Sequence, residues 1–126
     1  MQKKLKEIIN ESQIILDGLL GTGIRLPLRE PVTRVLEETI SAIRVSVNRP
    51  FVVAVDCPSG IDCDSGDAAP NVLEANMPVC MAAVKQGLFK FPAYRFVGEL
   101  KVVGIGLPDD LDQWKDISRF VVDKEY

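Results

Sequence analysis

Two short apolar runs, each closed by an aspartate, restrict the fold of this chain more than any other feature. Residues 13–17 read QIILD and residues 51–56 read FVVAVD. Between them Val32, Val35, Leu36, Ile40, Ile43 and Val47 recur at helical spacing, with Arg34, Glu37, Glu38 and Arg44 on the other side. Pro31 stands where a first helical position accepts proline, and Asn48-Arg49-Pro50 closes the helix. A strand, a helix of about a dozen residues and a second strand make a right-handed βαβ unit, so the two strands run parallel. The first run is so short and so apolar that it reads as a strand buried on both faces.

The rest of the chain fits the same class. Lys3 to Asn10 reads as a short helix with Leu5, Ile8 and Ile9 on one side. Met77 to Val84 and Leu100 to Ile105 are further strand candidates, and Phe120 to Val122 a short last one. Cys57 to Pro70 is rich in turn residues and acids and reads as a surface loop. The 126 residues suit one compact domain, and 47% hydrophobic residues suffice for a core. The expected fold is α/β with a mostly parallel sheet.

Composition excludes several chemistries. The chain has no histidine, which removes Ser-His and Cys-His catalysis and argues against zinc. Cys57, Cys63 and Cys80 form no CxxC pair and are expected to be unpaired thiols, mostly buried as small hydrophobes, in a reducing compartment. The net charge is −3 without a basic stripe, so neither nucleic acid nor an anionic membrane is the expected partner. The lysines near the start lead into an apolar stretch broken by Asn10, Glu11 and Ser12, so no signal peptide or membrane span is drawn. The expected location is the cytoplasm.

Parallel strands open their carboxyl ends onto one edge, where open α/β sheets bind ligands. Asp17 and Asp56 are therefore expected to face a shared crevice. Its rim would be the Gly18 to Pro27 turn and the CPSGIDCDSGD loop. The turn carries neither phosphate fingerprint, since Ile24 stands where one needs lysine and Leu26 where the other needs glycine. It is either a plain turn or one whose amides cradle an anion. Thr22 between Gly21 and Gly23 favours the cradle. Asp62, Asp64 and Asp67 imitate the start of a calcium loop but miss its glycine and glutamate positions, and so read as turn caps. Ser59 lies in no nucleophile elbow, and Cys57 reads as packing. With Asp17, Ser59 offers hard oxygen donors that suit a hard cation.

The motifs DGLLGTGIRLPLREP, VVAVDCPSGIDCDSGD, KQGL and VGELKVVGIGLP follow one another in this order. From about Ile14 to Pro108 they resemble the C-terminal half to two-thirds of NAD(P)H-hydrate epimerase domains (the YjeF N-terminal domain family). The resemblance implies a Rossmann-like three-layer α/β/α fold, present here as an incomplete domain. It implies interconversion of the R and S epimers of hydrated NADH and NADPH, upstream of an ADP- or ATP-dependent dehydratase, fused or separate, that takes the S form. It also implies a bound potassium ion. Carried over, Asp17 and Ser59 become potassium ligands, and Gly21, Thr22, Gly23, Ile24, Arg25, Leu26 and Pro27 a substrate-binding loop. Asp56 becomes a substrate contact and the candidate acid/base, with Lys85 as its charge partner. The family's asparagine- and glycine-rich segment has no counterpart here, so the chain alone is expected to be inactive and to dimerise through an exposed sheet edge. The alternative reading is a non-catalytic scaffold or partner-binding module of the same fold.

Overall fold

The computed structural model describes residues 2–120. A helix, α1 (Gln2–Glu11), leads into β1 (Ile14–Asp17), and after a long loop come α2 (Val32–Val45) and β2 (Phe51–Val55). A second long segment precedes β3 (Met77–Met81), two 3-10 turns (Gln86–Phe89 and Ala93–Phe96), β4 (Lys101–Val103) and a single helical turn, α3 (Asp112–Lys115). The four strands lie in the order β1-β2-β3-β4 and every neighbouring pair is parallel. This is the parallel α/β arrangement that the strand-helix-strand pattern predicts, and it agrees with the Rossmann-like fold that the family resemblance implies.

The register sorts the side chains onto two faces, because residues paired across parallel strands point the same way. Ile15, Val52 and Leu73 pack with Ile9, Leu36, Ala42 and Ile43 into one cluster under α1 and α2. Beside it Cys80 joins Cys57, Ile61, Cys63, Val72, Leu88 and Ala93. The other face carries Ile14 and Leu16 of β1, Phe51 and Val55 of β2, Met81 of β3 and Val103 of β4, all exposed. The expectation that β1 is buried on both faces is therefore corrected: the helices pack on one side, and Leu16 stays 71% exposed.

α2 forms where its apolar stripe predicts, with Leu36 and Ile43 buried. It is shorter than its pattern at both ends. Pro31 is the residue before the helix rather than its first. At the far end Ser46 turns extended and its hydroxyl donates to the Ile43 carbonyl at 2.8 Å. Val47 thus falls outside the helix and is exposed, not on the buried stripe. Met81 ends β3 three residues before the expected Val84, and β4 keeps only the middle of its run. Of the expected last strand, Phe120 lies outside any strand and residues 121–122 lie outside the described residues.

The largest correction concerns residues 57–70. Cys57, Ser59 and Ile61 are fully inaccessible, and Cys63 and Ala69 are buried as well. The segment turns inward because Ile61 and Ala69, with Val72 and Leu73 just beyond it, supply enough apolar surface to outweigh its acids, which stay at the rim. Fully burying a side chain of Ile61's size is worth about 1.5–3 kcal/mol. All three cysteines are buried, as their composition suggested, but Cys57 and Cys63 are joined in a disulfide rather than being separate thiols, leaving Cys80 free. The KQGL motif docks on this segment. Gly87 N–H donates to Cys63 O at 2.8 Å, and a Cβ at Gly87 would stand 2.3 Å from that oxygen.

Candidate functional site

The carboxyl edge of the sheet begins with Asp17. It is 3% exposed, yet its partners are neutral donors. Ser59 gives it both a backbone N–H to Oδ2 at 2.7 Å and a hydroxyl to Oδ1 at 2.5 Å. Leu19 N–H approaches Oδ1 at 3.4 Å, and Leu20 N–H donates to Ser59 Oγ at 3.0 Å. The end of β1, the start of the glycine loop and the loop after β2 are thus tied at one buried oxygen cluster. Among the described residues no lysine or arginine pairs with Asp17.

The loop that follows is longer than a tight βα turn. Residues 19–30 and Val32 line an open groove of about 880 Å³. Gly23 sits at φ 79°, the left-handed region that glycine enters without penalty, and nothing stands within 4 Å of where its Cβ would be. Among the described residues the amides of Gly21, Thr22 and Gly23 donate to no acceptor in the chain. Thr22 and Arg25 are exposed at the same loop. Free amides, a hydroxyl and a guanidinium around one groove suit an anionic ligand.

Asp56 lies one residue beyond β2 and is built differently. Its φ is 71°, a left-handed conformation that costs a residue with a Cβ on the order of 1–3 kcal/mol. Cys57 N–H folds back to Val55 O at 2.9 Å and closes a γ-turn around it. The end of β3 repeats the device: Ala82 has φ 63° and Ala83 N–H donates to Met81 O at 2.7 Å. Two adjacent strands therefore end in the same reversal, and the second brings Lys85 back to the first. Lys85 Nζ donates to Asp56 Oδ1 and, at 3.0 Å, to Met81 O. Met81 N–H donates to the same carboxylate oxygen at 3.0 Å. Both side chains of this ion pair are mostly buried, at 15% and 23% exposure for Asp56 and Lys85.

The sequence-derived residues thus assemble as two pairs along one edge, Asp17 with Ser59 and Asp56 with Lys85. Among the described residues no hydrogen bond joins the two aspartates. Asp17 points into the junction with Ser59, while Asp56 reaches toward the end of β3. Asp62 does cap a turn, accepting the N–H groups of Asp64 at 2.9 Å and Ser65 at 3.1 Å. Those amides hold its carboxyl below the usual carboxylate range. Among the described residues no group of three or more His, Cys, Asp or Glu side chains is placed to hold a metal. Sequence reasoning missed Cys80, whose thiol donates to Asp56 O at 3.5 Å, and Asn76. The Asn76 side-chain oxygen accepts Val52 N–H at 2.8 Å at the opposite edge. Cys80 had a signal, since it falls in the third strand beside the residue that closes the second. Asn76, just before β3, had none.

A four-stranded, all-parallel sheet with helices packed on it, its loops and two carboxylates at the carboxyl edge, defines a Rossmann-like α/β domain. Residues 1–87 match the family described as YjeF-related protein N-terminus, and the chain belongs to that family. It is 38% identical over 102 residues to an NAD(P)H-hydrate epimerase of Rhodopirellula baltica, covering 79% of this chain and 38% of that protein. It is 36% identical over 107 residues to an NAD(P)H-hydrate epimerase of Elusimicrobium minutum, covering 85% of this chain and 45% of the relative. A bifunctional NAD(P)H-hydrate repair enzyme Nnr of Pyrobaculum aerophilum is 38% identical over 101 residues, 80% of this chain and 19% of that protein. The chain spans less than half the length of these relatives.

Proposed function

We propose that this chain forms part of an NAD(P)H-hydrate epimerase, an isomerase that interconverts the R and S forms of hydrated NADH and NADPH. The observation that carries the reading is Asp56, held in a strained turn at the carboxyl edge of the sheet and paired with Lys85. Preorganised strain of this kind collects where chemistry is done. The names of the relatives point to the same reaction.

The substrate carries a hydroxyl on the ring carbon next to the nicotinamide nitrogen. When a carboxylic acid protonates that hydroxyl, the nitrogen lone pair expels it as water and leaves a cationic ring. Water then adds to either face and returns its proton to the carboxylate. Asp56 is the group for both transfers, as acid in departure and base in return. Lys85 and the Met81 amide fix where the carboxylate stands. The amides of Gly21, Thr22 and Gly23, with Ile24, Arg25, Leu26 and Pro27 forming the rest of the loop, receive the dinucleotide's phosphates.

A potassium ion fits the Asp17–Ser59 junction by its chemistry. The donors are oxygens, and a buried carboxylate served only by neutral donors gains from a cation. Asp17 and Ser59 would hold the ion, which when bound supplies the positive charge the junction lacks. The S-specific dehydratase is the expected downstream partner, and relatives that carry the word bifunctional in their names support it. We place the protein in the cytoplasm, in keeping with its cofactor substrate. Among the described residues no helix is long and apolar enough to cross a membrane.

The test is a chimera in which this chain replaces the matching segment of the Rhodopirellula baltica relative. Its R-to-S interconversion is followed by coupling to an S-specific dehydratase. Asp56→Asn is expected to lower the rate by about 10²–10⁴-fold, the usual contribution of a positioned acid/base. A rate equal to that of the parent chimera removes Asp56 from the reaction.

A further inference from the structure

The N–H, the backbone carbonyl and one carboxylate oxygen of Asp56 are met by the neighbouring strand or the turn beyond it. Its N–H donates to Val79 O at 2.9 Å and its backbone carbonyl accepts the Cys80 thiol at 3.5 Å. Its carboxylate accepts Met81 N–H and the Lys85 ammonium. Three consecutive residues of β3 thus hold one residue of the strand beside it. The carbonyl is the exposed point of this arrangement. With Asp56 in the left-handed region the next amide, Cys57 N–H, turns back to Val55 O and the ladder ends there. Among the described residues Cys80 is the only donor to Asp56 O, and a part-buried carbonyl left without that partner would favour unwinding of the turn.

From this geometry we infer that Cys80 is a positioning residue for Asp56: its thiol caps the carbonyl that the turn strips of a ladder partner, and so fixes where the carboxylate stands. The structural part of the inference is independent of chemistry, while its meaning for catalysis rests on the proposed role of Asp56. Cys80 is fully buried among Cys57, Ile61 and Leu88. That burial pushes its thiol pKa up, Lys85 opposing and Asp56 adding to the effect, so the sulfur keeps the proton it donates.

Serine at this position keeps a donor and alanine removes it with little change in volume. In Cys80→Ala the amide hydrogens of Asp56 and Met81 are expected to exchange with solvent about fivefold faster, as loss of one modest hydrogen bond implies, while Val52 and Ala54 keep their protection. The ¹³C resonance of the Asp56 carboxyl is expected to move with them. Cys80→Ser is expected to return both signals to the parent values. Unchanged Asp56 and Met81 signals in Cys80→Ala, or a serine variant indistinguishable from alanine, overturn the inference. Should the alanine variant not fold, Cys80→Val, which has no donor, carries the same comparison. None of these readouts needs turnover. A failed clamp therefore leaves the epimerase reading standing, and an inactive chimera leaves the clamp standing.

Discussion

A carboxylate buried as deeply as Asp17 needs more than a position at a strand end. Two donors from Ser59 and one from Leu19 stabilise it, but none carries charge. A bound cation that is lost on unfolding stabilises the fold by an amount that grows with its concentration, about 2.7 kcal/mol at 100 times Kd. Potassium is accordingly expected to raise the melting temperature of the chain, and Asp17→Ala to abolish that dependence. Equal potassium responses in the two proteins, read by thermal denaturation, dismiss the ion from this junction. Asp62 is a residue of another kind, a turn cap whose carboxyl the Asp64 and Ser65 amides hold below the ordinary range. A depressed folded-state pKa adds stability above the unfolded value that is lost as pH falls through the folded one. The stability gap between the parent and Asp62→Ala is therefore expected to be full at neutral pH and to shrink in acid. Asp62→Asn, which still offers an oxygen to the two amides, is expected to keep most of the parent stability at neutral pH. Denaturant titrations at several pH values check both statements. The acids themselves were plain in the sequence because they closed apolar runs or sat among turn residues. Their partners were not, because Ser59 lies 42 residues from Asp17 in the chain and Lys85 29 from Asp56.

The elements owe their legibility to period. α2 follows its apolar stripe, and both β1 and β2 follow their runs. Where the period is interrupted, the reading failed. Residues 57–70 show neither alternation nor helical spacing, so their acids suggested solvent, whereas tertiary packing drew Cys57, Ile61 and Cys63 into the core. The KQGL turn belongs with this loop, and its glycine is demanded by backbone rather than by conformation. Any Cβ at Gly87 meets the Cys63 carbonyl group at 2.3 and 2.5 Å and the Asp62 oxygen at 2.9 Å. Backbone atoms of a packed loop cannot step aside as a flexible side chain can. Gly87→Ala is expected to cost about 1–3 kcal/mol, the range for forced overpacking, and to do so by displacing the 57–70 segment. Denaturant unfolding measures the loss. A variant as stable as the parent would mean that the turn and the loop do not dock as described.

At the scale of the molecule the apolar face of the sheet is the dominant feature. Parallel sheets normally have both faces covered, and here Ile14, Leu16, Phe51, Val55, Met81 and Val103 share an exposed one. We expect the isolated chain to self-associate through this face with rising concentration in sedimentation velocity, a contact distinct from the sheet-edge dimer that the sequence suggested. Leu16→Lys combined with Val103→Lys is expected to return it to the monomer with its circular dichroism unchanged. Persistent association of the double variant would move the contact away from this face. The amino-acid sequence by itself determined the class of fold, the parallel direction of the first two strands and the edge to which Asp17 and Asp56 belong. Each of these follows from local periodicity and from the chirality of the chain. Only the tertiary structure decided that residues 57–70 pack into the core, that one sheet face is exposed among the described residues, and that Asp56 meets Cys80 and Met81 of β3 and Lys85 beyond it. Those outcomes depend on contacts between residues far apart in the chain, and no local pattern encodes which distant backbone will arrive.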